Sequence, residues 1–231
     1  MRVHPSKVIE CTDAVEWLKN QPVLEGCSLI ASLPDVSEFP KLTLEDWKGW
    51  FTETAALILS KTPPIGATLF FQSDVKVDGV WIDKAYLIQK AAESLGHSQL
   101  WHKIFCRADP GSVTYGRPAY SHLLCFSQTL RADVSRSTAD VIPDLGEKTW
   151  VRGMGMRACE FAVKFTADET RTRTLVNPFC GHAGVLAVAN AYGLNAIGIE
   201  RSPKRAEAAR ELCLSANREN WEMGKREGRR E

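Results

Sequence analysis

The chain has 231 residues, of which 44% are hydrophobic and 25% are charged. Its 29 Lys and Arg residues nearly balance its 28 Asp and Glu residues, so the formal net charge is +1. This composition is typical of a folded globular protein and excludes extensive disorder. It gives no sign of a globally basic nucleic-acid binder. No stretch reaches the ~18 consecutive apolar residues that a membrane-spanning helix needs.

The seven cysteines are expected to be reduced. They stand at positions 11, 27, 106, 125, 159, 180 and 213. Their number is odd and none forms a Cys-x-x-Cys pair, which argues against a zinc ribbon or a disulfide framework. The N-terminal segment MRVHPSKVIE has no apolar signal core. Together these features predict an intracellular protein without a metal or a membrane partner.

Hydrophobic periodicity predicts strands that alternate with helices along the chain. The predicted strands are Lys7–Cys11, Cys27–Ser32, Ala67–Gln72, Gln99–Cys106, Ser121–Ser127, Thr174–Val176 and Ala196–Glu200. The predicted helices are Asp13–Asn20, a helix capped by Thr43 and ended by Pro63-Pro64, Asp83–Leu95, Met154–Phe165, Gly184–Tyr192 and Pro203 to about Arg218. Residues 131–147 are expected to form a surface loop, and the charged tail 221–231 is expected to fray.

This alternation predicts an α/β fold with a mostly parallel sheet and helices on both of its faces. In such sheets, ligands bind at the carboxyl ends of the strands. The segments that follow the predicted strands are therefore the places to look for chemistry.

Residues 174–201 carry the strongest functional pattern, a strand, a turn (Asn177–Gly184), a helix and a second strand ending at Glu200. Gly181 and Gly184 allow a tight turn and a close approach of the backbone to a ligand. The helix start offers free N–H groups to a carboxylate, and an acid in the place of Glu200 can accept both ribose hydroxyls. The pattern predicts a nucleotide-type cofactor site; an ordinary tight turn followed by a surface Glu is the alternative.

NPFCGHAG followed by GIER resembles motifs I and II of S-adenosyl-L-methionine-dependent methyltransferases. The form is closest to the D/N-P-F-x-G-x-G motif of the class β amino methyltransferases of nucleic acids. Those enzymes are circularly permuted, and this chain has their motif order. The resemblance implies one Rossmann-like methyltransferase domain over residues 1–220, with S-adenosyl-L-methionine as the cofactor. Its catalytic and substrate half would span residues 7–150 and its cofactor half residues 151–218.

The resemblance also implies which residues hold the cofactor. Asp13 lies in the segment that carries an acid near the adenine, and Gly153 and Met154 lie in the place of motif X. His182 is expected to cap the next helix or to contact the cofactor carboxylate. Ala183 replaces a usual glycine, which a negative φ would allow. The implied set is Asp13, Gly153, Met154, Asn177, Pro178, Phe179, Cys180, Gly181, His182, Gly184, Glu200 and Arg201.

Ser32-Leu33-Pro34-Asp35 occupies the place of motif IV, D/N-P-P-Y/F. Ser32 can accept one hydrogen bond, but Asp35 has no ring to stack on a flipped base. In methyl transfer the protein positions the reactants and handles one proton. The candidate catalytic residues are Asp35, as general base or hydrogen-bond acceptor, then Glu38, with Ser32 and Pro34 beside them. Alternatively, Asp35 and Glu38 only cap the turn.

The connection between the strands Gln99–Cys106 and Ser121–Ser127 is the candidate substrate-binding segment. It contains Arg107, Tyr115, Arg117 and Tyr120. Arginine binds phosphate through a bidentate fork, and tyrosine stacks on unpaired bases. An ordinary solvated hairpin, with Tyr120 packed beneath the sheet, is the alternative.

The preferred interpretation is a methyltransferase that acts on nucleic acid. Structured RNA such as tRNA or rRNA is favoured, because the chain has no spare segment for the target-recognition region of class β DNA enzymes. The alternatives are a methyltransferase of DNA adenine, protein or a small molecule, and an inactive methyltransferase fold that serves as a binding module. A dehydrogenase is a weaker competitor, because its glycine-rich turn normally comes early in the chain. A homodimer or an activator protein is left open.

Overall fold

The computed structural model describes residues 5–214, which form one large sheet with helices on both faces and a separate two-stranded hairpin. The strands are β1 Lys7–Glu10, β2 Cys27–Ala31, β3 Thr68–Gln72, β4 Val75–Val77, β5 Val80–Ile82, β6 Ser98–Cys106, β7 Tyr120–Ser127, β8 Val141–Ile142, β9 Thr174–Asn177 and β10 Asn195–Ile199. The helices are α1 Ala14–Lys19, α2 Leu44–Lys61, α3 Lys84–Ser94, α4 Met156–Glu169, α5 Gly184–Ala191 and α6 Pro203–Glu211. Within these residues, no helix is long and apolar enough to cross a membrane.

The eight strands of the large sheet are ordered β1-β10-β9-β2-β3-β7-β6-β8. Neighbouring strands are parallel except that β7 runs antiparallel to both β3 and β6. The late strands β9 and β10 thus lie between the early strands β1 and β2. The predicted α/β fold with a mostly parallel sheet is confirmed. The ends of β2, β3, β6, β9 and β10 meet at one edge, where parallel sheets bind ligands.

Two apolar cores cover the two faces of this sheet. On one face, α2 and α3 bury a cluster that includes Trp47, Phe51 and Ile88. On the other face, α4 and α5 bury a cluster that includes Val163 and Leu186. Both faces are covered because the central strands are apolar at nearly every position rather than at alternate ones.

The start of α2 is capped as predicted, because the Thr43 side chain accepts a hydrogen bond from the Asp46 N–H. Three local features differ from the sequence-based expectation. The hairpin β4–β5 was not predicted; its turn is made by Asp78 and Gly79, both with positive φ, as two-residue hairpin turns require. The expected loop 131–147 contributes β8, which pairs with β6. Helix α6 ends at Glu211, earlier than the predicted residue 218, and the tail 221–231 lies outside the described residues.

Candidate functional site

A cavity of about 500 Å³ lies at the carboxyl edge of the sheet. It is bordered by the segments that follow β2, β9 and β10 and by the residues that precede α4. Most of the predicted site residues line it. They are Asp13, Ser32, Pro34, Asp35, Glu38, Arg107, Arg117, Gly153, Met154, Asn177, Pro178, Phe179, Cys180, Gly181, Gly184, Glu200 and Arg201.

The turn between β9 and α5 is tight and partly left-handed. The Asn177 Oδ1 accepts a hydrogen bond from the Phe179 N–H at 3.1 Å, and Gly181 has a φ of +55°. Ala183 does not have the negative φ under which its methyl group would be tolerated without strain: its φ is +60°. This conformation lets the Ala183 N–H reach the Cys180 carbonyl at 2.7 Å and directs the chain into α5. A non-glycine residue held there costs roughly 1–2 kcal/mol.

Glu200 follows β10 directly and ties this turn to its neighbouring strand. The side chain is almost buried, at 7% exposure. Its Oε2 accepts a hydrogen bond from the Gly181 N–H at 3.2 Å, and its Oε1 accepts from the Ser202 N–H at 2.7 Å and from Arg205 at 2.9 Å. Because a carboxylate has about four acceptor positions, Oε2 retains one for a ligand in the cavity.

Trp150 covers the turn. A Cβ atom on Gly181 would lie 2.9 Å from the Trp150 ring, and one on Gly153 would lie 2.7 Å from it. The His182 ring stacks on Trp150 with centroids 5.2 Å apart, and the Arg205 guanidinium lies 5.6 Å from the same ring. Ala183, rather than His182, occupies the N-cap position of α5, and His182 is not among the residues that line the cavity.

Gly181 and Gly193 provide a matched pair of substitutions. Both have positive φ, at +55° and +83°, but an added Cβ meets Trp150 only at Gly181 and meets nothing within 4 Å at Gly193. Gly193→Ala is expected to cost about 1 kcal/mol of unfolding free energy through backbone strain alone. Gly181→Ala is expected to cost more and to displace Trp150. Urea denaturation and tryptophan fluorescence of the two variants measure this difference; equal stability and equal spectra would contradict the packing of Trp150 on Gly181.

Asp35 is buried and held by two cations. Its Oδ2 lies 2.8 Å from the Lys84 Nζ and 2.8 Å from the Arg117 guanidinium. Burial alone would raise the pKa of Asp35, but Lys84 and Arg117 outweigh it, so the pKa lies below its usual value. A carboxylate with a lowered pKa and two cationic partners is a poor proton acceptor, which argues against the predicted role of Asp35 as general base.

Glu38 is engaged as well. It accepts a hydrogen bond from the Asp35 N–H at 3.1 Å and pairs with Arg152 at 3.1 Å. The Asp35 side chain in turn accepts from the Ser37 N–H, so the two acids form a capping box on a short 3-10 helix over Val36–Glu38. The capping alternative for Asp35 and Glu38 is thus realised in the structure. Ser32 and Pro34 line the cavity next to them.

Two features of the cavity were missed by the sequence analysis. Lys84 is only 1% exposed and lines the cavity although it comes from the start of α3. A lysine in the first turn of a helix opposes the helix dipole, and this was the signal that could have identified it. The second feature is an aromatic wall, in which Trp50 packs between Phe39 (4.5 Å) and Phe179 (6.4 Å).

The predicted substrate-binding segment divides into two parts. Arg107 and Arg117 line the cavity. Tyr115 and Tyr120 do not: Tyr115 is 89% exposed, and the Tyr120 ring packs on His122 with centroids 5.3 Å apart. The structure therefore brings the two arginines, but not the two tyrosines, together with the predicted catalytic and cofactor residues.

Among residues 5–214, one group has the spacing of metal ligands. It consists of Asp74, Asp83 and His122, whose ligand atoms lie within 4.8 Å of one another. Asp74 already accepts hydrogen bonds from His122 at 3.0 Å, from Trp81 at 3.2 Å and from the Lys84 N–H at 2.9 Å. These contacts account for the buried carboxylate without an ion. The group is not part of the cavity lining.

The cysteines are expected to differ in reactivity. Cys11 and Cys213 are exposed, whereas Cys180 is buried in the cavity wall. Burial and the nearby Glu200 raise the pKa of Cys180 to about 12, so it stays an unreactive thiol at neutral pH. Alkylation of the folded protein with iodoacetamide at pH 8, followed by mass spectrometry, should label Cys11 and Cys213 first. Labelling of Cys180 as fast as Cys11 would contradict this burial.

The fold of this chain is similar to those of several solved proteins. No protein-family model and no curated protein matches the chain. The PvuII DNA methyltransferase, which is cytosine-N4-specific, matches with a TM-score of 0.70 and 15% identity over 93% of this chain and 89% of its own. A candidate DNA modification methylase of Thermus thermophilus, complexed with S-adenosyl-L-methionine, matches with a TM-score of 0.65 and 19% identity over 90% and 92%. The chain has a methyltransferase fold.

A third solved structure, the M1.HpyAVI complex with S-adenosyl-L-methionine, matches with a TM-score of 0.59 and 15% identity over 88% of this chain and 98% of its own. These likenesses extend over nearly the whole chain, so the methyltransferase fold is not confined to the turn and strand that suggested it. At these identities the likeness concerns the fold, and chemistry has to be argued from the site.

Proposed function

We propose that this chain is an S-adenosyl-L-methionine-dependent methyltransferase that acts on nucleic acid. The observation that carries the proposal is the direct hydrogen bond between the Gly181 N–H and Glu200 at the wall of the cavity that also contains Ser32–Asp35. One cavity is thus lined by the predicted cofactor turn, the predicted ribose acid and the segment in the place of motif IV. The methyltransferase fold supports the same assignment.

The residues of the cavity fit this cofactor. Its volume lies within the roughly 300–1,000 Å³ of typical small-molecule sites. Glu200 would accept hydrogen bonds from the ribose, the turn Asn177–Gly184 would approach the cofactor through its backbone, and Asp13, Gly153 and Met154 would border it. When bound, S-adenosyl-L-methionine supplies a methyl group on a sulfonium sulfur, which an acceptor atom attacks in line.

We also infer that the chain is circularly permuted. In this interpretation residues 7–150 form the catalytic and substrate half, and residues 151–218 form the cofactor half. The position of β9 and β10 between β1 and β2 supports it, because the late strands complete the middle of a sheet that the early strands begin. Residues 215–218 of the second half lie outside the described part of the chain.

The target side of the cavity suits a nucleotide. Phe39 and Trp50, which lie four and fifteen positions after Asp35 in the chain, together offer a ring surface. This surface can replace the stacking residue that motif IV lacks. Arg107 and Arg117 suit a phosphate. The names of two of these fold neighbours refer to DNA, and none of the three supports the preference for RNA. An amine nitrogen can attack through its own lone pair, so the lack of a strong base in Asp35 is compatible with transfer to nitrogen.

Two measurements test the proposal. Calorimetry should detect binding of S-adenosyl-L-methionine to the purified chain. Labelled methyl should then pass from the cofactor to total RNA or total DNA from a strain that lacks the protein. Binding without transfer to RNA, DNA or protein would favour the inactive binding module, transfer to protein alone would refute the nucleic-acid target, and absence of cofactor binding would refute the proposal.

A further inference from the structure

Three further cations line the same cavity as Glu200. Arg107 directly follows β6, Arg117 lies in the loop between β6 and β7, and Lys148 lies ahead of α4. We call these three residues the cation cluster. In the order of the sheet, β6 is five strands away from β10, which corresponds to on the order of 20 Å at the usual strand spacing. Arg107 therefore lies at the end of the cavity that is remote from the predicted ribose site, whereas Arg117 reaches Asp35 beyond β2.

The positive charge of the cluster is only partly balanced by ion pairs within the described residues. Three ion pairs account for six of the other charged groups of the cavity wall: Lys84–Asp35, Arg152–Glu38 and Arg205–Glu200. Asp13, which caps α1, and Arg201 also line the cavity. Arg117 shares Asp35 with Lys84. Within residues 5–214, Arg107 and Lys148 form neither an ion pair nor a side-chain hydrogen bond.

Holding the three cations together is unfavourable without a ligand. Burial and Arg117 lower the pKa of Arg107, and burial, Arg107 and Arg117 lower the pKa of Lys148. Asp109, Asp144 and Glu147 border the outer side of Arg107 and Lys148, but none of them pairs with either. Converging, uncompensated cations on a cavity wall form a favourable site for an anion.

We propose that the cation cluster binds a backbone phosphate of the nucleic-acid substrate. This inference rests on the proposed function and names the part of the substrate that these three cations hold. Donors from three separate segments suit a phosphate, which offers several oxygens, better than a carboxylate, which one arginine can satisfy. Asp35 holds Arg117 through their ion pair, and Arg107 and Lys148 remain available to the anion.

Such a contact would set the register of the strand rather than read its sequence, because phosphates carry no sequence information. A phosphate held at the cluster places the adjoining nucleotide inside the cavity, towards the aromatic wall of Phe39 and Trp50. The cluster thus supplies affinity, and the remainder of the cavity selects the base.

The test uses the full chain saturated with S-adenosyl-L-homocysteine, so that the cofactor site is blocked. Fluorescently labelled single-stranded RNA and DNA oligonucleotides of the same mixed sequence serve as probes, at several salt concentrations. Arg107→Gln and Lys148→Gln should each weaken binding about tenfold and should lower the slope of log K against log salt by about 0.7. Arg171→Gln and Lys90→Gln, which remove exposed cations outside the cavity wall, serve as matched controls.

Affinity for S-adenosyl-L-methionine is measured in every variant. The cluster is supported as a phosphate site if Arg107→Gln and Lys148→Gln bind the oligonucleotides more weakly than the two control variants do. Their affinity for the cofactor must remain unchanged. The RNA and DNA arms show which nucleic acid supplies the phosphate. Equal oligonucleotide affinity in all variants overturns the phosphate site but leaves the proposed cofactor function standing. If the unmodified chain does not bind the cofactor, the proposed function is refuted instead. If the unmodified chain binds the cofactor but neither oligonucleotide, the phosphate site is overturned.

Discussion

Glu200→Ala is expected to lower the affinity for S-adenosyl-L-methionine about 100-fold or more. The carboxylate would accept hydrogen bonds from the ribose hydroxyls, and each hydrogen bond to a charged group contributes roughly 1.5–3 kcal/mol. The variant also removes the acceptor of the Gly181 N–H, the Ser202 N–H and Arg205. The cofactor turn thereby loses its link to β10. Calorimetric titration with the cofactor measures the loss.

Two further variants separate the role of this carboxylate from a general loss of charge. Glu207→Ala removes an exposed acid from α6, where it pairs with Arg210, and should leave cofactor affinity unchanged. Glu200→Gln preserves the size of the side chain and one acceptor oxygen. Its affinity for the cofactor should lie between those of Glu200→Ala and Glu207→Ala. If Glu200→Ala bound the cofactor as tightly as the unmodified chain, the assignment of the cavity to S-adenosyl-L-methionine would be wrong.

Asp35→Ala is expected to lower the free energy of unfolding by about 3–5 kcal/mol. The substitution leaves the Lys84 ammonium buried without its hydrogen-bonded carboxylate. Because the pKa of Asp35 is lowered in the folded state, the contribution of the pair is complete above about pH 4 and declines as the pH falls below it. Urea denaturation at pH 7 measures the effect.

The double variant Asp35→Ala/Lys84→Met tests whether this loss of stability comes from the unpaired Lys84 charge. Methionine replaces the ammonium group with an apolar side chain of similar length. It should be more stable than Asp35→Ala alone. Glu16→Ala, which breaks an exposed pair with Lys19, should cost less than about 1 kcal/mol and provides the surface reference. A loss of the same small size for Asp35→Ala would show that Lys84 finds other partners.

The same variants bear on catalysis. Asp35→Asn removes the negative charge but retains an acceptor oxygen, and its methyl transfer should persist if Asp35 orients Lys84 and Arg117 rather than removing a proton. Abolished transfer in a folded Asp35→Asn protein that still binds cofactor would restore the role of general base.

The cofactor side of the cavity could be predicted because its residues are close in the chain. The turn Asn177–Gly184 and Glu200 belong to one strand–helix–strand unit, in which the hydrogen bonds of two neighbouring parallel strands hold both ends. Local rules for glycine turns and for acids at strand ends are sufficient there. The left-handed φ of Ala183 could not be predicted, because the residue type alone argues against it and the conformation arises from the turn that joins β9 to α5.

The target side could not be predicted in the same way. Lys84 and Asp35 are 49 positions apart, and only the packing of α3 beside β3, the neighbour of β2 in the sheet, brings them into contact. This contact changes the chemistry of Asp35 from a candidate base to a buried, paired carboxylate. Trp150 likewise covers Gly181 although neither position indicates the other in the sequence.

The amino-acid sequence by itself determined the α/β class, the strands and helices with strong periodicity, and the turn and acid of the candidate cofactor site, because these depend on residues within one or two elements of each other. The tertiary structure alone decided the charge state of Asp35, the placement of Lys84 and Trp150, and the gathering of the cation cluster. Those features depend on burial and on charges from distant segments, and the energy of a buried charge is set by every group that surrounds it.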